Sequence, residues 1–295
     1  MSYFEIAESD IGPLNDKVTI ITGASSGIGL ATAQLFLSKG AIVYGADLQA
    51  PIATISDPKF SFTSLDVTSW PDLCALFQKA HAEQGRIDVL FANAGIYSRE
   101  DYLSVRQGTD GQLEEPSKLT FQVNLSALAN QVALAAHYMT TQQTPRGGCI
   151  TLTASSTSYQ RFDAPDYVAS KHGVIGLMRG TSVHAKNNNL PLRINAVAPS
   201  WTRTGLVTVS QMQFENLGII SQPPEAVARS VALLASDETR SCQCIYSRGG
   251  EYVEVEEPMH ATMLKQFRFT GLAEEDEREQ VIDLIFGSGK ELEVQ

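Results

Sequence analysis

Residues 18–40, VTIITGASSGIGLATAQLFLSKG, contain an apolar β-branched run, a glycine-rich turn and a stretch with helical spacing, in that order. The run at 18–23 is typical of a buried strand, and Gly40 is a typical helix stop. Glycines in the turn allow a pyrophosphate to approach the backbone, and the following helix N-terminus offers free N–H groups. The stretch therefore predicts a first βα unit with an anion-binding loop.

The same alternation of apolar runs and amphipathic stretches continues along the chain. Strands that are apolar throughout are buried on both faces, and alternation with helices predicts right-handed βαβ units. We therefore expect an α/β fold with a Rossmann-like, doubly wound parallel sheet in a three-layer αβα sandwich. The short link at 48–59 contains two prolines, so we expect no helix there. Strands are predicted at 18–23, 41–47, 60–67, 87–95, 147–156, 192–200 and, as the last, 244–250, and helices near 70–84, 117–140, 166–187 and 223–236.

This pattern divides the chain into three parts. A single Rossmann-fold catalytic domain is expected at 17–252, after an N-terminal extension at 1–16. An acidic C-terminal tail at 253–295 follows, where the βα rhythm stops. Segment 97–117 is polar and predicts a surface excursion.

The composition excludes several classes of function. The 295 residues include 22 lysines and arginines and 33 acids, which gives a net charge of −11. Because nucleic-acid backbones are bound by basic patches, this charge argues against nucleic-acid binding. No apolar run approaches the ~20 residues of a membrane span, and the N-terminus lacks signal-peptide features, so we expect a cytoplasmic protein. The four cysteines are Cys74, Cys149, Cys242 and Cys244. Their spacing is not that of a zinc knuckle, so we expect buried free thiols and no metal site.

The glycine-rich loop and the next strand end predict a dinucleotide site. Gly23 would allow the turn, Gly27 the close approach of the pyrophosphate, and Gly29 tight helix–strand packing. Asp47 ends the second strand 18 residues after Gly29, where a carboxylate can accept from both ribose hydroxyls and would repel a 2′-phosphate. No basic residue stands at 24–28, so the pattern favours NAD over NADP.

Five motifs together resemble the classical short-chain dehydrogenase/reductase family over about 17–252. The resemblance extends to fungal members in secondary metabolism, because the tail is longer than in the simplest members. It implies an oxidoreductase with a dinucleotide cofactor, a small-molecule substrate and assembly as a homodimer or homotetramer. The motifs are TGASSGIG (22–29), LDV (65–67), NAG (93–95), VNL (123–125) and YVASK (167–171).

The resemblance also implies a set of cofactor-binding residues. In PSWTRT (199–204), Ser200 replaces the glycine of the family's turn, which is a departure next to the expected nicotinamide position. The implied set comprises Gly23, Ser25, Ser26, Gly27, Ile28, Gly29, Asp47, Asp66, Val67, Asn93, Ala94, Gly95, Tyr167, Lys171, Pro199, Thr202 and Thr204.

Tyr167 and Lys171 have the spacing of a proton-transfer pair. A free tyrosine has a pKa of about 10 and is a poor base at neutral pH. Lys171, one helical turn later, would lower the tyrosine pKa together with the nicotinamide's own charge, and would bind the nicotinamide ribose. The resemblance implies that Ser155, with Ser156 as the alternative, polarises the substrate oxygen and that Asn124 supports a water relay to Lys171.

Asp166 has two interpretations. A carboxylate near a helix N-terminus, after Pro165, suits the helix dipole. Alternatively it lines the mouth of the substrate site and pairs with a cationic group such as an imine nitrogen. Because successive helix residues differ by about 100° in direction, Asp166 need not face the site with Tyr167.

Segment 200–222 is the expected substrate lid. Its apolar side chains, with two aromatic residues from elsewhere, would form a wall suited to a medium-sized cyclic substrate. They could equally be ordinary packing residues of the lid. The candidate wall consists of Tyr97, Phe162, Trp201, Met212 and Phe214, with Leu217 beside them.

Three functions fit these residues. The first is an NAD-dependent oxidoreductase that interconverts a secondary alcohol and a ketone. The second is an imine or iminium reductase on an alkaloid-like substrate, with Asp166 as the anchor for the cation. The third is a scaffold protein that binds dinucleotide without turnover.

Overall fold

The computed structural model describes residues 2–53, 55–97, 100–143, 146–206 and 209–269. Its centre is an eight-stranded sheet with the strand order β3-β2-β1-β4-β5-β6-β7-β8. Neighbouring strands from β3 to β7 are parallel, as predicted. The strands are β1 (Val18–Thr22), β2 (Ile42–Asp47), β3 (Phe60–Ser64), β4 (Val89–Ala92), β5 (Gly148–Thr153), β6 (Leu192–Pro199), β7 (Cys244–Arg248) and β8 (Glu251–Glu254).

Helices cover both faces of the sheet and complete the three-layer sandwich. One face buries apolar side chains of α2, α4 and α5, and the other buries those of α1 and α7. The helices are α1 (Gly27–Ser38), α2 (Trp70–Gln84), the short turn α3 (Leu119–Phe121), α4 (Ala127–Thr141), α5 (Pro165–Asn187), α6 (Gln211–Asn216), α7 (Pro224–Ser236) and α8 (Glu256–Phe269).

The helix α2 shows how local sequence sets an element. The Ser69 hydroxyl accepts a bond from a first-turn N–H, and Gly85 ends the helix in the left-handed conformation with φ of 72°. Its buried residues, Leu73, Leu76 and Phe77 among them, recur at helical spacing and face the sheet.

The strand order places the predicted site. β1 pairs with β2 on one side and with β4 on the other, so the order reverses at β1. In open parallel sheets ligands bind in the crevice at such a switch point, beyond the carboxyl ends of the strands. The glycine-rich turn leaves β1 at that end. No helix occurs between β2 and β3 among the described residues of 48–59, in agreement with the prediction.

The sheet ends differently from the prediction. The predicted last strand is followed by β8, which pairs with β7 in antiparallel orientation through a turn at Gly249 and Gly250. β8 reaches Glu254, so the chain stays in the sheet past the expected domain end at 252. The last part of the expected tail, with the acidic stretch at 274–279, lies outside the described residues.

The N-terminal extension packs onto the domain. Phe4 exchanges backbone hydrogen bonds with Tyr252 of β8, at 2.9 and 3.1 Å. Ile6, Ile11 and Leu14 are buried in the core on the α1 and α7 side. Residues before 17 therefore contribute apolar burial to the fold.

Candidate active site

The glycine-rich loop has a backbone that side chains would obstruct. Gly23 and Gly27 are left-handed, with φ of 69° and 52°, a region that favours glycine. A Cβ on Gly29 would lie 2.0 Å from the Gly23 carbonyl oxygen. Ser26 caps α1 in extended conformation without a side-chain capping bond. Ile28 is half-buried and packs against the core on the α1 side.

The start of the lid lies over this loop. A Cβ on Gly27 would be 2.8 Å from Thr204 Cγ2, so Thr204 contacts the face of the loop from above. Pro199 ends β6, and the Ser200 N–H donates to the Ser247 carbonyl at 2.9 Å. The turn after β6 therefore stays bonded to β7 although serine stands at 200.

Thr202 is placed differently from the other predicted cofactor residues. Its side chain is buried, donates to the Ser200 carbonyl at 2.8 Å and accepts from Gln222 Nε2 at 3.1 Å. These bonds commit the hydroxyl to the lid. The cofactor role of Thr202 stays a prediction.

Asp47 ends β2 at the carboxyl-end edge of the sheet, beside the glycine-rich loop. One of its oxygens accepts the Ser25 N–H at 3.0 Å, and the carboxylate is half-buried. It forms no ion pair with any described residue. Asp66 is exposed and accepts from Thr68, while Val67 is buried in the core. Asp66 and Val67 thus lie side by side with only one of them facing solvent.

Asn93 joins the ends of three central strands. Its amide nitrogen donates to the Thr22 carbonyl at 3.1 Å, and its oxygen accepts the Thr153 hydroxyl at 3.2 Å. The Ala94 N–H also donates to the Thr22 hydroxyl, and the next residue, Gly95, lies beside Lys171 of α5. The sequence prediction did not include Thr22 or Thr153, because their roles depend on parallel pairing of distant strands.

The four predicted catalytic side chains converge at the carboxyl ends of β4 and β5. Lys171 Nζ donates to the Thr153 carbonyl at 2.8 Å and lies 5.7 Å from the centre of the Tyr167 ring. The Ser155 side chain lies close enough to the Tyr167 phenol to lower its pKa. A Cβ on Gly95 would lie 3.3 Å from Asn124 Oδ1 and 3.6 Å from Lys171 Nζ, which places Asn124 and Lys171 on either side of that glycine.

Asn124 sits in a π-helical turn, Gln122–Ser126, between α3 and α4. It is fully buried, accepts the Ile96 N–H at 2.8 Å and donates to the Ile96 carbonyl at 2.9 Å and the Ser170 hydroxyl at 3.3 Å. π-bulges are frequent at functional sites. The π-turn thus fixes the amide against both the β4 end and α5.

Burial changes the pKa values of the proton-transfer pair. Desolvation raises the pKa of Tyr167, while the hydrogen bond from Ser155 lowers it. Burial lowers the pKa of Lys171 to about 8. The desolvated amine is directed at the Thr153 carbonyl and lies 5.7 Å from the ring, so in the chain alone Lys171 does not offset the desolvation of the phenol.

Ser155 begins a short 3-10 helix, Ser156–Ser158, and its hydroxyl accepts the Thr157 N–H at 3.2 Å. The buried Ser158 hydroxyl donates to the Lys171 carbonyl at 2.7 Å and accepts the Ser155 N–H at 3.3 Å. Ser156 is half-buried. Ser158, which the sequence did not single out, therefore connects the serine segment to α5.

Asp166 is buried and does not reach the surface at the entrance of the site, so the prediction that it lines the substrate site is corrected. It is 1% exposed, and one oxygen accepts the Thr120 hydroxyl at 2.7 Å. The other oxygen is buried without a hydrogen-bond partner. As the second residue of α5 it turns toward α3, about 100° around the helix from Tyr167. Its position agrees with the helix-terminus interpretation.

Aromatic side chains form two groups near Tyr167. Tyr97 packs edge-on against Tyr167, with ring centres 5.3 Å apart. Trp201 links Phe162 and Phe214, with centre distances of 6.0 and 5.7 Å. Phe214 is 3% exposed, so the lid anchors itself through this ring.

Met212 and Leu217 differ from the rest of the predicted wall. Each is 70% exposed, because α6 turns Phe214 inward and these two residues outward. The prediction of Met212 as a wall residue is therefore corrected.

Replacing Lys171 with methionine should stabilise the protein near neutral pH. Below pH 8 both folded and unfolded chains carry the Lys171 charge, so the folded state bears the full desolvation cost. From pH 8 to 10.5 the unfolded state binds more protons, and this cost disappears. The shift corresponds to about 3 kcal/mol, offset by about 1 kcal/mol for the lost hydrogen bond. We expect denaturant unfolding to show a stability gain at pH 7 that shrinks by pH 10.

The exposed Lys186, near the end of the same helix, provides the control. Lys186→Met should change stability by a similar small amount at both pH values. A gain for Lys171→Met that stays constant from pH 7 to 10 would contradict the prediction.

The described residues contain neither a membrane-spanning helix nor a cluster of metal-binding side chains. No described helix is long and apolar enough to cross a membrane. No three His, Cys, Asp or Glu residues within the described ranges cluster closely enough to hold a metal ion. The four cysteines are free, with Cys149 and Cys244 buried.

Comparisons with known proteins agree with this geometry. A family described as short chain dehydrogenase matches residues 17–213. The chain is 43% identical over 258 residues to the short-chain dehydrogenase/reductase ascJ of Acremonium egyptiacum, covering 87% of this chain and 86% of that protein. It is 32% identical over 242 residues to (+)-borneol dehydrogenase 1 of Salvia officinalis, covering 76% and 88%.

A solved structure has the same architecture. The short-chain type dehydrogenase/reductase from Mycobacterium marinum superposes with a TM-score of 0.70 at 25% identity. The match covers 83% of this chain and 98% of that one.

Proposed function

Because this chain belongs to the short-chain dehydrogenase/reductase family, we propose that it is an NAD-dependent oxidoreductase that interconverts a secondary alcohol and a ketone on an apolar small molecule. The observation that carries the proposal is that Ser155, Tyr167 and Lys171 lie together beside the glycine-rich loop. Side chains in place of the loop glycines would collide with neighbouring atoms. A protein that only binds dinucleotide has no need of that convergence.

The residues fit a dinucleotide. The left-handed loop and the open start of α1 suit the pyrophosphate, and the Asp47 carboxylate suits the adenosine ribose. Lys171 Nζ, beside Gly95, would bind the nicotinamide ribose. The bound cofactor supplies or accepts the hydride.

The chain's own residues would handle the proton. Tyr167 exchanges it with the substrate oxygen, and Ser155 holds that oxygen and tunes the phenol through their hydrogen bond. Lys171, with its pKa near 8, relays charge between the phenol and the water that Asn124 would support. The Tyr97 ring against Tyr167 limits access of bulk water from that side.

The substrate class follows from the aromatic side chains. The rings of Phe162 and Trp201 pack against each other and remain partly exposed, which suits contact with an apolar skeleton. The relative from Salvia officinalis is named for borneol, a secondary alcohol, which supports alcohol oxidation. The imine-reductase alternative loses its support because Asp166 is buried against Thr120. Cytoplasmic location, assembly as a homodimer or homotetramer and a role in secondary metabolism stay predictions.

Cofactor preference is tested by titrating the protein with NADH and, separately, with NADPH while following fluorescence. We expect NADH to bind at least about tenfold more tightly, because a 2′-phosphate would meet the unpaired Asp47 carboxylate. Replacing Asp47 with serine should remove most of this difference, whereas Asp66→Ser should not. Tighter binding of NADPH by the unmodified protein would contradict the NAD assignment.

Turnover is tested next, with NAD⁺ and a panel of cyclic apolar secondary alcohols. Formation of NADH with at least one of them is the expected result. Cofactor binding without turnover of any alcohol or ketone would favour the scaffold alternative.

A further inference from the structure

We propose that Glu256, which follows the part of the chain matched by the family, is a positioning residue for the segment Ser155–Tyr159, which contains the candidate catalytic serine. This inference rests on the proposed function. Glu256 is the first residue of α8 and is 4% exposed, which is unusual for a carboxylate. Its charge must therefore be compensated inside the protein.

Two groups supply that compensation. The Arg179 guanidinium donates to both carboxylate oxygens, one of them at 3.1 Å. The Tyr159 hydroxyl donates to the carboxylate at 3.3 Å. Glu256 thus holds α5 on one side and the residue directly after the 3-10 helix on the other.

Tyr159 passes this restraint toward the active site. It ends the 3-10 helix that Ser155 begins, and its N–H donates to the Ser156 carbonyl at 3.2 Å. The Ser158 hydroxyl, directly before Tyr159, accepts the Ser155 N–H and donates to the Lys171 carbonyl. A shift of Tyr159 would therefore move the segment that presents Ser155 to Tyr167.

The backbone fixes Glu256 at its own end. The Val255 N–H donates to the Cys244 carbonyl at 2.9 Å, and the Glu256 N–H donates to Glu254 Oε1 at 2.8 Å. Arg179 follows Lys171 by eight residues in α5, and its side chain points about 80° away from that of Lys171 around the helix axis. The strand β8, the start of α8 and the catalytic helix therefore form one connected unit.

The test compares Glu256→Gln and Tyr159→Phe with the unmodified protein. We expect each to lower kcat by about tenfold, because a displacement of well under 1 Å at the reacting centre is costly. NADH affinity should not change. The double variant should be no slower than either single variant, because both remove the same link. Glu257→Gln, a neighbouring exposed acid, is the matched control and should keep full activity.

Hydrogen–deuterium exchange provides a readout that needs no substrate. Backbone amides of residues 156–160 should exchange faster in both variants and at the normal rate in the Glu257→Gln control. Unchanged exchange there, or additive losses of kcat in the double variant, would overturn the proposal. If the unmodified protein turns over no alcohol or ketone, the proposed function fails, and the exchange measurement alone decides whether Glu256 positions the segment.

Discussion

Replacing Tyr167 with phenylalanine is expected to lower kcat for alcohol oxidation by about a thousandfold, within the range of general acid–base catalysis. The phenol belongs to the ring whose centre lies 5.7 Å from Lys171 Nζ, and the Ser155 side chain lowers its pKa. The phenyl ring keeps the edge-on contact with Tyr97, so packing is retained. Stability should fall by about 1 kcal/mol at most, for one lost hydrogen bond.

Two measurements identify the loss as chemical. The NADH affinity of Tyr167→Phe should equal that of the unmodified protein, because the phenol hydroxyl is assigned to the substrate oxygen. Tyr3→Phe is the control: Tyr3 is 67% exposed and lies in the N-terminal extension, so this variant should be fully active. A Tyr167→Phe variant with more than a tenth of normal alcohol oxidation would refute the assigned proton transfer. Selective survival of imine reduction would restore the second function.

Replacing Gly29 with alanine should have the largest effect on cofactor binding. The added Cβ would lie 2.0 Å from the Gly23 carbonyl oxygen and 2.8 Å from the Asn93 amide nitrogen. Since the carbonyl is backbone, relief requires the whole loop to move away from α1. We expect NADH affinity to fall more than about a hundredfold, because pyrophosphate binding depends on the loop backbone. Stability should fall by about 3 kcal/mol, as for other overpacked sites.

Gly180 offers the contrasting substitution. It lies exposed in α5, and a Cβ there would have no neighbour within 4 Å. Gly180→Ala should therefore stabilise the protein by about 1 kcal/mol through helix propensity and leave NADH affinity unchanged. Fluorescence titration and denaturant unfolding of both variants measure the two effects together. Gly29→Ala with normal NADH affinity would show that the loop does not hold the pyrophosphate.

The parts of the site that could be predicted are those encoded in consecutive residues. The loop at 22–29 needs glycine wherever its own backbone turns left-handed or approaches itself. Tyr167 and Lys171 share a helix face because one turn separates them. Burial of these side chains was not encoded in their spacing, and it sets the direction in which the pKa of each is shifted in the chain alone.

Three features could not be predicted because their partners are distant in the chain. Asp166 faces Thr120, 46 residues away, so its role depends on how α3 packs against α5. Thr153 acts through its backbone carbonyl, which every residue has. Glu256 reads as one acid in an acidic stretch, and only the packing of α8 brings it to Arg179 and Tyr159.

The sequence by itself determined the parallel sheet, the glycine-rich loop and the Tyr167–Lys171 pair, whereas Ser155 and Asn124 were implied by the family resemblance. Apolar periodicity, glycine positions and helical spacing are local properties, and local properties are legible in the order of residues. The tertiary structure alone decided which charges are buried, which hydroxyls have hydrogen-bond partners and that residues 253 and 254 belong to the sheet. Those outcomes depend on long-range packing, which removes water from some side chains and supplies partners to others.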